Sequence, residues 1–181
     1  EAPVDLGPLI PDLLAGMKVT QINRLKLAHG KNTVSVSRLF SITGMDTTNN
    51  QIRRSCDKLL YIGKEMGHGT IEVSGDAGDF AGHGMRGGTI KIHGNAGSWA
   101  VIGMHGGLME IHGNVEDYLG AGMPGHAHGM SNGHIYVAGT AEAQAFKLNQ
   151  NPSAGYVLTS NTVGVGTWMP ATGGSGGTSS Q

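Results

Sequence analysis

The chain has 181 residues, of which 32 are glycine and only 14% are charged, and its formal net charge is −1. So much glycine excludes a helical bundle, and scattered basic residues in a nearly neutral chain exclude a surface built for nucleic acid or an anionic membrane. No apolar run is long enough to span a membrane, and no secretory signal is expected at the start. Cys56 is the single cysteine, which excludes an internal disulfide and favours a reducing, cytoplasmic location.

The opening segment, residues 1–63, precedes the regular part of the sequence. Residues 1–15 contain three prolines and predict an extended arm with one short helical turn. Apolar spacing in 19–27 predicts a short amphipathic helix, followed by a turn and by a strand over 34–42. The polar residues 45–55 predict a surface loop, and 59–63 lead into the regular array that follows.

Residues 66–139 repeat themselves. Three blocks with a strict period of 19 follow one another without a gap from Met66, Met85 and Met104, and a fourth begins at Met130 after a seven-residue insertion. Each block contains a short strand pattern, with a glycine before it and another just after it. A fixed period near 20 with a strand in every unit is typical of a solenoid. We therefore predict an all-β fold: a right-handed parallel β-helix of about 19 residues per coil, with a short α/β N-terminal segment.

Stacking of such coils would bring equivalent positions into ladders. Alternation along each strand predicts two inward ladders, namely Ile71, Ile90, Met109 and Ile135, and Val73, Ile92, Ile111 and Val137. The residues between them are predicted to face outward: Glu72, Lys91, Glu110 and Tyr136. Their alternating signs fit cross-strand pairing and indicate a device for register rather than chemistry.

We predict three regions. Residues 1–45 form an N-terminal arm and capping segment, 46–140 the β-helix coils, and 141–181 a non-repeating, flexible tail. Within the tail, 141–150 favour a helical turn or two, and the following run, NPSAGYVLTSNTVGVGTWMPAT, resembles short repeats of phage tail-fibre and adhesin-like proteins. The final GGSGGTSSQ is typical of a flexible linker.

The repeats also resemble a known family. The spacing Gly75-x-x-Gly78-x-x-x-Gly82, in coils of the form GGTIxVxGNAG, is similar to the β-helix of two kinds of protein. One is the C subunit of formylmethanofuran dehydrogenase and of the related bacterial formyltransferase/hydrolase complex; the other is the C-terminal domain of the glutamate synthase large subunit. The opening segment 16–44, and Met130-Ser131-x-Gly133 after the insertion, resemble the C subunit. The resemblance covers roughly residues 5–140.

Nine histidines raise the question of a metal site. His93 and His112 occupy equivalent positions in adjacent coils, and two ligands alone make a poor zinc site, so we expect an outward pair. His126 and His128, with His134 nearby, form the better cluster, which either binds a metal or, as we favour, belongs to a loop that packs on a partner subunit. We assign no metal ligand.

No catalytic or cofactor-binding residue is assigned either. Asp76, Asp79, Glu116 and Asp117 are predicted at corners without a buried acid partner, and Cys56 lacks a nearby histidine to activate it. Phe80, Trp99 and Tyr118 are spaced by 19 and predict an aromatic stack, which we interpret as structural rather than as a sugar platform.

The family resemblance implies a non-catalytic subunit of a complex that makes or hydrolyses the formyl group of a methanofuran-type carrier. It places the chemistry in other chains: a metal-dependent, amidohydrolase-like subunit and, in the dehydrogenase, a molybdopterin or tungstopterin subunit. No cofactor is then expected in this chain, and no nucleic acid or membrane partner. Two alternatives stay open: a structural β-helix rod or adhesin-like protein, as in phage fibres, and a relative of the glutamate synthase domain. The resemblance does not distinguish a subunit of a dehydrogenase complex from a subunit of a hydrolase complex.

Overall fold

The computed structural model describes residues 2–44, 46–122 and 129–141, together with the backbone of 156–160 and 166–170. The chain divides into two compact units, Glu1–Ala145 and Phe146–Gln181. In chain order the elements of the first unit are β1 (Val4–Asp5), α1 (Pro11–Leu14), α2 (Val19–Ile22), β2 (Lys26–His29), β3 (Asn32–Ser35), α3 (Val36–Leu39), β4 (Asn49–Ile52), β5 (Leu59–Leu60), β6 (Thr70–Val73), β7 (Thr89–Ile92), β8 (Leu108–Ile111) and β9 (His134–Val137).

The N-terminal segment forms a mixed sheet with strand order β3-β2-β1-β5. β2 and β3 form an antiparallel hairpin in which His29 pairs with Asn32, so the predicted turn is confirmed, and Gly30 adopts the positive φ of 57° that this tight connection needs. β1 pairs antiparallel with β2 and parallel with β5. The N-terminal segment is thereby joined to the start of the repeats through backbone hydrogen bonds.

Three predicted elements near the N-terminus differ from the structure. The helix predicted over 19–27 ends at Ile22, because Leu25 and Leu27 follow the two-residue period of a strand rather than the helical period. The strand predicted over 34–42 ends at Ser35 and is followed by the single turn α3. The segment predicted as a surface loop over 45–55 contains the strand β4, which pairs with β6. Its polar sequence lacks the alternating apolar residues by which a strand is predicted.

The repeats form a five-stranded parallel sheet with strand order β4-β6-β7-β8-β9. Each strand pairs with the equivalent strand of the next repeat, so Ile71 lies beside Ile90, and Ile90 beside Met109. The insertion before the fourth repeat leaves the register intact, since Met109 pairs with Ile135. We call the five strands and the turns between them the repeat stack.

The interior of the repeat stack consists of apolar ladders, as predicted for the first three repeats. Strands β6, β7 and β8 share one alternating pattern of half-buried and buried residues. The fully buried side chains include Met66, Met85 and Met104, which fill the space beside the glycine-rich turns. In the fourth repeat the inward residues Ile135 and Val137 are only partly buried, because no further strand pairs with β9 among the described residues.

The predicted closed fold is wrong. Instead of an all-β, right-handed parallel β-helix, the described residues of the first unit form one all-parallel sheet, one mixed sheet and three short helices. Outside the five strands, successive repeats are joined by turns and by the single bridges Ala77–Ala96, Ala96–Val115 and Val115–Ala141. The glycine-rich sequence between strands favours turns with positive φ, so one face of each repeat extends into a sheet while the rest does not close into further sheets.

The second unit contains an antiparallel hairpin of β10 (Tyr156–Ser160) and β11 (Gly166–Pro170). The helical turns expected within 141–150 and the flexible end at 173–181 lie outside the described residues, Ala141 excepted. Across the described parts of the chain, no helix is both long and apolar enough to cross a membrane.

Candidate functional site

The outer face of the parallel sheet displays the alternating charges that the sequence predicts. Glu72, Lys91 and Glu110 are aligned across β6, β7 and β8. Lys91 Nζ lies 3.1 Å from Glu110 Oε2, and both side chains remain partly exposed. Tyr136 continues the row on β9 with 57% of its surface exposed. Lys91 and Glu110 therefore pair across adjacent strands, and such cross-strand pairs favour this register.

His93 and His112 lie side by side at the end of that face. Their ring centroids are 5.1 Å apart, as expected for equivalent positions of adjacent strands. His93 Nε2 lies 2.8 Å from Glu72 Oε1, and Gln51 Nε2 donates to Glu72 Oε2 at 3.3 Å. The hydrogen bond from His93 is the main cause that lowers the pKa of Glu72 below its usual value. Because all these groups are exposed, the pair contributes little to stability.

The described residues include no group of three or more His, Cys, Asp or Glu side chains able to hold a metal ion. His126 and His128, the better of the two predicted clusters, lie outside the described residues. His134, which was grouped with them, is exposed at the start of β9. Cys56 is also exposed. The proposal that the insertion packs on a partner subunit therefore stays a prediction.

The corner carboxylates bind the backbone of the next repeat. Asp76 Oδ1 accepts a hydrogen bond from Asn95 N at 2.7 Å, and Asn95 Oδ1 accepts one from Asn114 N at 2.9 Å. The row ends where Asn114 Oδ1 accepts from both N and Oγ1 of Thr140, each at 3.0 Å. Sequence reasoning missed this ladder, although its signal, an Asp or Asn at the same place in the first three repeats, is present at 76, 95 and 114. Its role is to align the repeats.

A second corner holds four aromatic residues, Tyr61, Phe80, Trp99 and Tyr118, which we call the aromatic row. The sequence predicted the last three as a stack and missed Tyr61, which lies one repeat before Phe80. They form two stacked pairs: Tyr61 on Phe80 with centroids 4.8 Å apart, and Trp99 on Tyr118 at 4.2 Å. All four residues have a positive φ, between 56° and 66°. Bulky side chains rarely adopt this left-handed conformation.

The lower pair, Tyr61 and Phe80, is surrounded by groups from its own repeats. His83 meets Tyr61 and Phe80 edge-on, with centroids 6.0 and 6.5 Å away. Lys64 Nζ lies over the Tyr61 ring, 5.2 Å from its centroid. Burial, together with the nearby Asp5 and Asp79, raises the pKa of Tyr61, while burial lowers the pKa of His83. This half of the row therefore already contains a cation in contact with a ring.

The upper pair, Trp99 and Tyr118, has acidic residues next to it in the chain and in the adjoining repeats. Trp99 N donates to the backbone oxygen of Asp117 at 2.9 Å. The preceding Ser98 joins two acids, since its N donates to Asp79 Oδ1 at 2.9 Å and its Oγ to Glu116 Oε2 at 3.2 Å. The residues that precede Tyr118 in the chain, namely Asn114, Val115, Glu116 and Asp117, line a shallow, open depression together with Thr140. Residues 92–141 contain no lysine or arginine.

Comparison with known proteins places this stack of repeats in context. No protein-family model matches the chain. Two curated sequences from Methanococcus maripaludis, one of them from strain S2, are 32% identical to it over 78 residues, which is 42% of this chain. Both are described as the C subunit of a tungsten-containing formylmethanofuran dehydrogenase 2. The chain resembles the C subunit of formylmethanofuran dehydrogenase. The resemblance predicted from the repeats is thus confirmed.

A solved structure is also similar to this chain. It is a chain of the formyltransferase/hydrolase complex (FhcABCD) from Methylorubrum extorquens, determined in complex with methylofuran. The match has a TM-score of 0.73 at 28% identity and covers 77% of this chain and 53% of that chain. The chain spans 29% of the length of the curated C-subunit sequences and about half of the solved one.

Proposed function

We propose that this chain is a non-catalytic subunit of a hetero-oligomeric complex that makes or hydrolyses the formyl group of a methanofuran-type carrier. The observation that carries the proposal is the likeness of 77% of the chain, at a TM-score of 0.73, to a chain of the formyltransferase/hydrolase complex. The similarity to the C subunit of formylmethanofuran dehydrogenase supports the same class of one-carbon complex.

The packing of the repeat stack supports a scaffolding role for this chain. Its buried side chains are apolar, with Met85, Ile90 and Met109 fully buried at the centre. A core packed in this way is rigid and keeps the surface in one arrangement. On the outer face, Lys91 and Glu110 pair with each other, and Glu72 pairs with His93. Because these charges of the outer face already have partners within the chain, the corners of the repeat stack are better placed to supply complementarity to other chains.

Under this proposal the chemistry belongs to the partner chains. An amidohydrolase-like subunit would hold the catalytic metal, and in a dehydrogenase a further subunit would hold molybdopterin or tungstopterin. The carrier is then the substrate of the whole complex, and the complex is cytoplasmic. This chain would contribute the surface on which the catalytic chains are fixed relative to each other.

Co-purification tests the proposal. The chain, tagged at its C-terminus, is expressed with the amidohydrolase-like chain of the same organism, and the two should elute together from affinity and size-exclusion columns in a fixed ratio. Ile90→Asp, which disrupts the core, serves as the matched control and should recover no partner. Recovery of the folded wild-type chain without the amidohydrolase-like chain would contradict the proposal.

A further inference from the structure

We infer that the upper pair of the aromatic row, Trp99 and Tyr118, with the carboxylates of Glu116 and Asp117, binds an arginine or lysine side chain of the catalytic partner subunit. The inference rests on the proposed function and names the corner of the repeat stack at which that partner docks. It concerns a different surface from the outer face of the parallel sheet.

The backbone indicates that the rings themselves are important at this corner. All four positions of the aromatic row require a left-handed conformation, which glycine adopts without strain. Two residues further along, the same conformation is adopted by Gly63, Gly82 and Gly120, and by Val101 in the repeat that contains Trp99. None of the four positions of the aromatic row is occupied by glycine. Strained residues of this kind concentrate where a side chain has to be presented in a fixed direction.

The two pairs differ in charge. Tyr61 in the lower pair is already in contact with Lys64, at 5.2 Å from the ring centroid. Among the described residues, the upper pair has no such cation, and neither Glu116 nor Asp117 forms an ion pair. The nearest lysine in sequence, Lys91, pairs with Glu110. The upper pair thus combines stacked rings with unneutralised carboxylates, and a cation from another molecule complements both.

An arginine side chain fits this combination best. Its planar guanidinium stacks on an aromatic face and donates hydrogen bonds to a carboxylate at the same time. The shallow depression between Asn114 and Thr140 gives such a side chain access to Glu116 and Asp117 from solvent. Tryptophan, tyrosine and arginine are also the residues that contribute most to the energy of protein interfaces.

The test measures the affinity of this chain for the purified amidohydrolase-like subunit by calorimetry at two salt concentrations. The double variant Glu116→Gln, Asp117→Asn keeps side-chain shape and removes both charges. We expect it to weaken binding at least tenfold at low salt and to reduce the salt dependence. Trp99→Leu should weaken binding by a similar factor. The matched control is Tyr136→Ser, an exposed aromatic residue on the outer sheet face, which should leave the affinity unchanged.

Each other outcome has a definite meaning, provided that the melting temperature shows the charge variant to be folded. If the wild-type chain binds and the charge variant binds equally well, the inference is overturned while the proposed function stands. Failure of the wild-type chain to bind overturns both. Sedimentation of the chain alone provides the third arm: self-association that the charge variant abolishes would show that a second copy occupies this corner, which also overturns the inference.

Discussion

Replacing Ile90 with aspartate should strongly destabilise the repeat stack. Ile90 lies on the central strand of the parallel sheet, is fully buried, and pairs with Ile71 on one side and Met109 on the other. A carboxylate there has apolar neighbours above and below and no partner for its charge. The expected loss is at least about 4 kcal/mol, a large part of the stability of a domain of this size. Urea unfolding followed by circular dichroism measures it.

The adjacent Lys91→Ala is the matched control for Ile90→Asp. Lys91 points to the opposite face of the same strand, is partly exposed, and forms one surface ion pair with Glu110. Removal of the Lys91 side chain should lower the free energy of unfolding by less than about 1 kcal/mol. Equal losses for the two variants would refute the assignment of inward and outward positions on which the description of the core depends.

Gly87→Ala should produce the second large effect. A methyl group at Gly87 would overlap the backbone oxygen of Gly67 in the preceding repeat, so the two repeats would have to separate at this turn. Backbone atoms can shift less easily than side chains, so we expect the free energy of unfolding to fall by about 3 kcal/mol. The unfolding midpoint in urea, measured under the same conditions for this variant and its control, gives the comparison.

Gly84→Ala is the control for this close approach. Gly84 also lies at a turn, but the nearest atom to an added methyl group is Glu65 Cγ at 3.4 Å. Its φ of 63° makes alanine unfavourable by roughly 1 kcal/mol for conformational reasons alone. A Gly84 variant as unstable as the Gly87 variant would show that conformation, and not contact between the repeats, determines the glycine positions.

Periodicity predicted the strands of the repeats well, because each apolar residue has an equivalent one repeat away. The same apolar pattern in every repeat supports the same assignment of inward positions. Ile71, Ile90 and Met109 are buried and paired as expected. The same reasoning was wrong about closure, because a period of 19 with one strand in each unit does not show whether the turns between the strands close into a coil. Periodicity also gave no information on β4, in which Asn50 takes the position that Ile71 holds in β6.

The candidate site was predicted only in part. The spacing of Phe80, Trp99 and Tyr118 indicated a stack, but spacing alone could not show that the rings form two pairs or that their backbone is left-handed. Asp76 was recognised as a corner residue, whereas its hydrogen bond to Asn95 depends on the distance between two turns. Which charged groups lie near a ring depends on such distances too. The contrast between the lysine over the lower pair and the acidic residues near Trp99 was therefore visible only in the structure.

We propose that this chain supports catalysis without performing it, and turnover of the formylated carrier tests that proposal most directly. Hydrolysis or oxidation of the carrier's formyl group is followed for the purified chain, with and without zinc, and for the complex assembled with its catalytic subunits. We predict turnover by the complex and none by the chain alone. Turnover by the purified chain that is lost when His126 and His128 are replaced by alanine would contradict the account.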